Sequence, residues 1–110
     1  MNESDKVRLH HILDAINEIE EFTDSIDLTT FQTNRLVRNA TIRSFEIIGE
    51  AVNSLSMDIK ESETIFPWQG WKDFRNVLIH QYFGVDYEMV YNTIQNDLPE
   101  LKSKVKSLLE

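Results

Sequence analysis

The sequence predicts an all-α fold, an antiparallel bundle of four to five helices. Apolar residues recur at three- and four-residue steps along nearly the whole chain, and the alternation typical of strands is missing. Only three glycines and two prolines interrupt the 110 residues, and no repeat or linker is found. The length suits one domain spanning residues 1–110, with a small core. Helical chains this short often complete their burial by pairing with a second copy, so we expect a homodimer.

The first predicted helix runs from about residue 5 to residue 24, and Ser4 or Asp5 is placed to cap it. One stripe of residues at helical spacing gives its apolar face: Leu9, Ile12, Leu13, Ile16 and Ile19. The stretch "SIDLTT" then breaks the pattern, and Thr29 or Thr30 is placed to cap the next helix.

The second predicted helix runs from about residue 31 to residue 56 and has a broad apolar face opposite a polar one. Gly49 lies in its middle, at a cost of roughly 1 kcal/mol relative to alanine. Two interpretations stay open: another backbone approaches closely at this position, or the glycine is simply tolerated.

The third predicted helix follows the polar connection "MDIKESETIFP" and runs from near Pro67 to about Tyr82. Its heavy apolar face includes Trp68 and Trp71, which we expect to pack in the core or against a second copy rather than to stack on bases. Gly84 is placed to end it as a left-handed C-cap. Asp86 is a good N-cap for the next helix, and Pro99 fits the first turn of the last one.

Composition limits the function classes. The chain has no cysteine, so disulfides and thiolate zinc sites are excluded. No apolar run approaches the roughly 20 residues that span a bilayer, and the first residues carry acids where a secretory signal has bases. We therefore expect a cytoplasmic protein with no membrane association. The net charge of −8 argues against strong non-specific binding of nucleic acid, although residues 28–45 carry three arginines and no acid.

The stretch "RNVLIHQY", residues 75–82, places an arginine, a histidine and a tyrosine close together. Each helical residue advances about 100°, so Arg75 and His80 differ by about 140° and cannot share one face of a straight helix. Asn76 and His80 do share a face, and Arg75 and Tyr82 align if the helix lasts that long. Arg75 and His80 come together more easily if the helix frays near Gly84, or if a second chain supplies the missing partner.

The chemistry of this stretch suits phosphodiester cleavage without a metal. Arginine is a fixed cation whose fork matches phosphate oxygens, and histidine carries a proton either way near neutral pH. His80 would act as base or acid, while Arg75 would stabilise the developing charge. The structural alternative is a helix C-terminus that carries favourable cations, with a tyrosine anchored in the core.

The motif Arg-x4-His-x-Tyr resembles the HEPN superfamily and, within it, the HepT-like toxins. The stretches "RNATIRSFEIIGEAVNSL" and "WKDFRNVLIHQYFGVDYEMVYNTIQNDLPELKSKV" resemble that family's second helix and its third helix with the C-terminal arm. The resemblance implies a homodimer whose motifs meet at a cleft between protomers, and a metal-independent endoribonuclease with no cofactor. Arg75 and His80 would be the RNA-cleaving pair, and Asn76 would position His80 or the phosphate.

The resemblance also implies a partner. HepT-like toxins are paired with a minimal nucleotidyltransferase (MntA-like) antitoxin in type II or type VII-like toxin–antitoxin pairs. That partner can transfer AMP to the motif tyrosine, here Tyr82, and the added phosphate would block RNA entry. A polar residue of the second helix faces the cleft in this family, so Arg43 and Glu46 are the supporting candidates.

Three further sets of residues give weaker indications of function. His10 and His11 lack a third ligand, so we expect surface residues rather than a metal site. Glu46 and Glu50 lie one turn apart and more often form a solvated face, here balanced by Arg43. Arg35, Arg38, Arg43, Lys72 and Arg75 are the basic residues that could line a cleft.

Three functions remain open from the sequence. The chain is an RNase toxin, a non-catalytic subunit that binds or regulates a nucleotidyltransferase, or a structural dimer whose motif is a relic. We favour the first.

Overall fold

The computed structural model describes residues 1–110 and contains seven α-helices and no strand. The helices are α1 (Glu3–Phe22), α2 (Leu28–Thr33), α3 (Arg35–Asn53), α4 (Met57–Ser62), α5 (Trp68–His80), α6 (Tyr87–Asn96) and α7 (Leu98–Leu109). The predicted all-α fold is confirmed. The five longer helices correspond to the predicted segments. The six-residue helix α4 lies where a connection was expected, whereas α2 spans the last residues of an expected connection and the first three residues of the predicted second helix.

The start of α1 is capped by Asn2, whose side chain accepts a hydrogen bond from the Asp5 backbone N–H. The predicted caps, Ser4 and Asp5, were therefore wrong. Asp5 is buried instead and accepts bonds from the backbone N–H and the hydroxyl of Ser56, at 2.9 and 2.6 Å. Each oxygen of this buried carboxylate therefore accepts one hydrogen bond from Ser56, and the two bonds tie the beginning of α1 to the beginning of α4.

The predicted second helix is divided at Asn34, which caps α3 by accepting a bond from the backbone N–H of Val37. Asp27 caps α2 by accepting from the backbone N–H of Thr30, and this bond holds the pKa of the Asp27 carboxyl below its usual range. The predicted caps at Thr29 and Thr30 were wrong. The Asn34 cap is enough to start α3 with only one residue between it and the end of α2.

The end of α5 also differs from the prediction. The helix stops at His80, with Gln81 as its C-cap, and Gly84 does not adopt a positive φ. The predicted left-handed glycine cap was therefore wrong. The predictions for the next two helices are confirmed, since Asp86 caps α6 and Pro99 lies in the first turn of α7.

Helix α3 is central to the fold and packs against α1, α5 and α2. The core is one cluster of 20 buried hydrophobic residues. An aromatic group joins α3 to α5: Phe45 stacks on Trp71 at 6.1 Å and meets Phe74 edge-on at 5.1 Å between ring centroids. Trp68 and Trp71 are buried, so their predicted core role is confirmed.

Gly49 marks a close approach between α3 and α5. A Cβ added to Gly49 would stand 2.3 Å from Cβ of Arg75 and 2.9 Å from its Cγ. Real side chains do not approach so closely, so only glycine fits at this position. A close approach does explain Gly49, but the approaching group is the root of the Arg75 side chain rather than the expected backbone.

None of the seven helices combines the length and the apolar character that crossing a bilayer requires.

Candidate active site on helix α5

Arg75 is held on three sides by its own chain. Gly49 lets the base of its side chain lie directly on α3. One terminal nitrogen of the guanidinium contacts Glu50 Oε1 at 3.2 Å, and the other donates to Asn76 Oδ1 at 3.1 Å. The side chain remains 27% exposed. The cation is therefore fixed in direction yet reachable from solvent.

Asn76 was predicted to position His80 or a phosphate. In the structure its carboxamide oxygen accepts from Arg75, its sequence neighbour, rather than contacting His80. Asn76 thus orients the guanidinium in the isolated chain.

His80 is the last residue of α5 and is exposed, without an ion pair or hydrogen bond to another side chain. Tyr82 lies beyond the helix end, is 79% exposed, and contacts Phe83 edge-on at 5.6 Å between ring centroids. The structural alternative, a tyrosine anchored in the core, is therefore wrong. The expected alignment of Arg75 with Tyr82 does not arise, because the helix ends two residues before Tyr82.

Arg43 and Glu46 form an ion pair with each other at 3.6 Å, one turn apart on α3. The acid that contacts Arg75 is Glu50, which sequence reasoning weighed but did not select. Arg43 and Glu50 are seven residues apart, so they share a face of α3 about 10 Å apart along the axis. The sequence-predicted pair therefore lies beside the Arg75 site rather than within it.

One of the basic residues expected to line a cleft has a structural role. The Arg38 guanidinium lies over the Tyr87 ring, 4.4 Å from its centroid, and donates to the backbone carbonyl of Gln32. By contrast, Arg35 is exposed, and the Arg43 side chain is 66% exposed. Arg35 and Arg43 are thus the cations of α3 that remain available to a polyanion.

Sequence reasoning missed a polar groove beside Arg75. Arg8 and His11 of α1 line it together with Glu50 and Arg75. Arg8 and His11 lie three residues apart on one side of α1, a signal that the adjacent His10–His11 pair concealed. His10 and His11 are both exposed, as predicted. No group of three or more histidine, aspartate or glutamate side chains is arranged to hold a metal ion.

Comparison with known proteins identifies the family. A family model described as "Ribonuclease HepT-like" matches residues 12–108. The chain belongs to the HepT-like ribonuclease family. The resemblance drawn from the motif is confirmed at the level of the family, and so is the prediction of an enzyme that cleaves RNA.

Several relatives share most of the chain. A candidate RNase of Methanocaldococcus jannaschii is 40% identical over 101 residues, covering 92% of this chain and 93% of its own. A candidate ribonuclease HepT of Thermococcus cleftensis is 40% identical over 108 residues, covering 98% of each chain. A longer M. jannaschii protein, named as a γ-glutamylcyclotransferase and candidate RNase, is 36% identical over 110 residues, which are 100% of this chain and 50% of that protein. No solved structure matches this chain.

Proposed function

We propose that this HepT-like ribonuclease is the RNase toxin of a toxin–antitoxin pair and cleaves RNA without a metal, in a cleft between two copies of the chain. One observation carries the proposal. Arg75 is anchored by Glu50 and Asn76, whereas His80, five residues further on, is exposed and unbound. One chain therefore holds a fixed cation and an unpositioned proton carrier. Such a toxin would meet its RNA in the cytoplasm.

The chemistry follows from these two groups. His80 takes the proton of a ribose 2′-hydroxyl, and the 2′-oxygen attacks the adjacent phosphorus. The bond from phosphorus to the 5′-oxygen breaks, that oxygen takes a proton from water, and His80 returns its own proton to solvent. Arg75 stabilises the negative charge that gathers on the phosphoryl oxygens. The products are a 2′,3′-cyclic phosphate and a 5′-hydroxyl.

The exposed aromatic residues after α5 support the two-chain arrangement. Tyr82 and Phe83 are 79% and 84% exposed, beside a histidine without a partner. Large apolar side chains that are exposed together mark protein contact sites. A second copy covering Phe83 would bring its own α5 next to His80.

The exposure of Tyr82 also supports a role as AMP acceptor. Its phenolic oxygen would attack the α-phosphorus of ATP, bound by a minimal nucleotidyltransferase partner. Pyrophosphate would leave and the phenol would lose its proton. The attached phosphate would add negative charge two residues from His80 and would repel the RNA backbone.

The first test is RNA cleavage by purified protein with and without EDTA, beside a His80→Ala variant. We expect cleavage of single-stranded RNA that survives EDTA and is lost in the variant. An oligonucleotide with one 2′-deoxy sugar at the cleaved position should resist, because the attacking oxygen is absent. Cleavage of that oligonucleotide, or activity that EDTA removes, would contradict the mechanism.

The two-chain site is tested by mixing two inactive variants. Arg75→Ala and His80→Ala chains, unfolded and refolded together, form mixed dimers in which one cleft can combine an intact Arg75 with an intact His80. Recovery of activity in the mixture supports the shared site. Silence of the mixture, together with a monomeric mass by light scattering, would mean that each chain acts alone.

Adenylylation is tested by intact-mass measurement of protein produced with and without a nucleotidyltransferase from the neighbouring gene. We expect one added adenylyl group, absent in Tyr82→Phe, and loss of RNA cleavage in the modified form. Tyr91→Phe is the control, since Tyr91 is half-buried and donates to the Ile26 carbonyl. Modification of Tyr82→Phe would place the acceptor elsewhere.

A second candidate function rests on charge. The net charge of −8 is unfavourable for an RNA-binding surface and suits a subunit that binds and regulates a nucleotidyltransferase. Unmodified wild-type protein as inactive as His80→Ala on every RNA tested, yet forming a stable complex with the nucleotidyltransferase, would favour this second function.

A further inference from the structure

The polar groove beside Arg75 has the lining of an anion site. It encloses about 360 Å³ between α1, α3 and α5. Six of its eight lining residues are polar, and the ionisable ones are Arg8, His11, Glu50 and Arg75. Two arginines against one glutamate leave the groove positive whether or not His11 is protonated. This is unusual in a chain whose net charge is −8.

Arg8 has no partner within the chain. It forms none of the five ion pairs, although Glu50 lines the same groove and contacts Arg75 instead. The Nε of Arg8 is shielded from solvent and has no hydrogen-bond partner. A half-buried guanidinium without a carboxylate is the group that a phosphate binds well.

The second groove of the molecule shows the opposite chemistry. It encloses about 290 Å³ and is lined by aromatic residues with Asp97 and Glu100, and by no base. A polyanion is repelled there. The charge of the two grooves therefore singles out the one that Arg8 and Arg75 share.

We propose that Arg8 and His11 form a subsite for a phosphate of the RNA strand next to the phosphate that is cleaved. Arg75 belongs both to the cleavage site and to the wall of the groove, so a strand held at Arg75 runs directly into it. Asn53 and Ser54, both exposed in the groove, supply further hydrogen-bonding groups. The subsite rests on the proposed RNase function and gives it a direction: the strand crosses α3 toward α1.

The test compares two substrates and two variants. A ribodinucleotide has a single phosphate and cannot occupy the subsite, whereas an RNA dodecamer can. We expect Arg8→Gln to raise KM for the dodecamer by about five- to tenfold and to leave dinucleotide cleavage unchanged. Lys6→Gln is the matched control, because it removes the same charge from an exposed site on α1 outside the groove.

Binding gives a second readout that does not depend on cleavage. In a His80→Ala background, the slope of log Kd against log salt should fall by about 0.7 with Arg8→Gln, as expected when one phosphate contact to a single strand is lost. His11→Asn should weaken dodecamer binding less than Arg8→Gln. Arg8→Met also removes the charge but keeps an apolar stem, and it replaces Arg8→Gln if that variant does not fold.

The outcomes separate the subsite from the proposed function. The subsite is wrong if Arg8→Gln, or Arg8→Met in its place, behaves as Lys6→Gln does, or if dinucleotide and dodecamer cleavage fall together. The proposed function is wrong if unmodified wild-type protein cleaves neither substrate, and Arg8-dependent binding of the dodecamer would still support the subsite in that case. Loss of nucleotidyltransferase binding without loss of RNA binding would show the groove to be a protein contact and would overturn the subsite.

Discussion

The two halves of the Arg-x4-His motif lie only five residues apart, yet their surroundings are opposite. Arg75 lies where α3 and α5 meet, against Gly49, with its guanidinium bound to Glu50 and Asn76. His80 ends α5 and is followed by Tyr82 and Phe83, both largely exposed. The arginine is positioned by the fold, and the histidine is positioned by nothing in the same chain.

This contrast teaches how a short sequence motif divides its work. In the proposed mechanism the cation needs a fixed direction, and the contacts at the crossing of α3 and α5 supply it. The proposed proton carrier would complete its site in a second chain and would stay at the surface until that chain arrives. Each prediction below breaks one side of the contrast or measures how sharp it is.

The largest effect is expected from His80→Ala. Removing a general acid or base lowers the rate by about 10²- to 10⁴-fold. Because His80 is exposed and unbound, the unfolding free energy should change by less than about 0.5 kcal/mol. The cleavage rate checks the expected loss of activity, and urea unfolding checks the unfolding free energy. His10→Ala is the control. A large loss of stability in His80→Ala would show a structural role instead.

Gly49→Ala tests the other side of the contrast. The new Cβ would stand 2.3 Å from Cβ of Arg75, which is the rigid root of that side chain. The helices must separate, so we expect a loss of about 1–3 kcal/mol in unfolding free energy together with reduced cleavage.

Gly70→Ala is its control, since Gly70 also lies in a helix and its nearest neighbour is 4.0 Å away. There the better helix propensity of alanine should stabilise the protein by up to about 1 kcal/mol. Equal behaviour of the two variants in urea unfolding would contradict the close crossing.

Glu50→Gln removes the charge that holds Arg75 while leaving a group of the same size. The ion pair is partly exposed, so its loss should change the unfolding free energy by less than about 1 kcal/mol. Cleavage of the ribodinucleotide, which does not occupy the groove, should fall by less than about tenfold, in kcat rather than KM, because the guanidinium loses orientation. Steady-state kinetics measure the change in kcat and KM. The control is Glu61→Gln, which changes an exposed acid on α4. An effect on KM alone would indicate that Glu50 only repels RNA.

The smallest effect is expected from Gly84→Ala. No atom lies within 4 Å of a Cβ added there, and the backbone does not need glycine. The unfolding free energy, measured by thermal unfolding, should change by less than about 0.5 kcal/mol. Any larger destabilisation would mean that the loop after α5 adopts a conformation that requires glycine.

Much of the fold was predictable because helices report themselves locally. The three-and-four spacing of Leu9, Ile12 and Ile16 located α1, and Asp86 and Pro99 marked the starts of α6 and α7. The errors lie at competing caps. Asn2 was preferred over Ser4, and Asn34 divided a continuous pattern, because several cap residues stood within reach of each start.

The candidate site was predictable in its chemistry and less so in its contacts. The motif identified Arg75, His80 and Tyr82, and the helical angle between Arg75 and His80 already favoured a second chain. The choice of Glu46 over Glu50 could not be made from spacing, because both lie on the polar face of α3 one turn apart. Arg8 was not among the predicted residues, since its spacing from His11 on α1 does not show that it lines the same groove as Arg75.

The sequence by itself determined the five longer helices, the family and the candidate residues for the chemistry, because periodicity, capping and motif spacing act over a few neighbouring residues. Only the tertiary structure decided that Gly49 seats Arg75, that Glu50 binds it, and that Arg8 faces the same groove. These residue pairs lie 25 to 67 positions apart in the chain, and their geometry depends on how α1, α3 and α5 pack around a shared core.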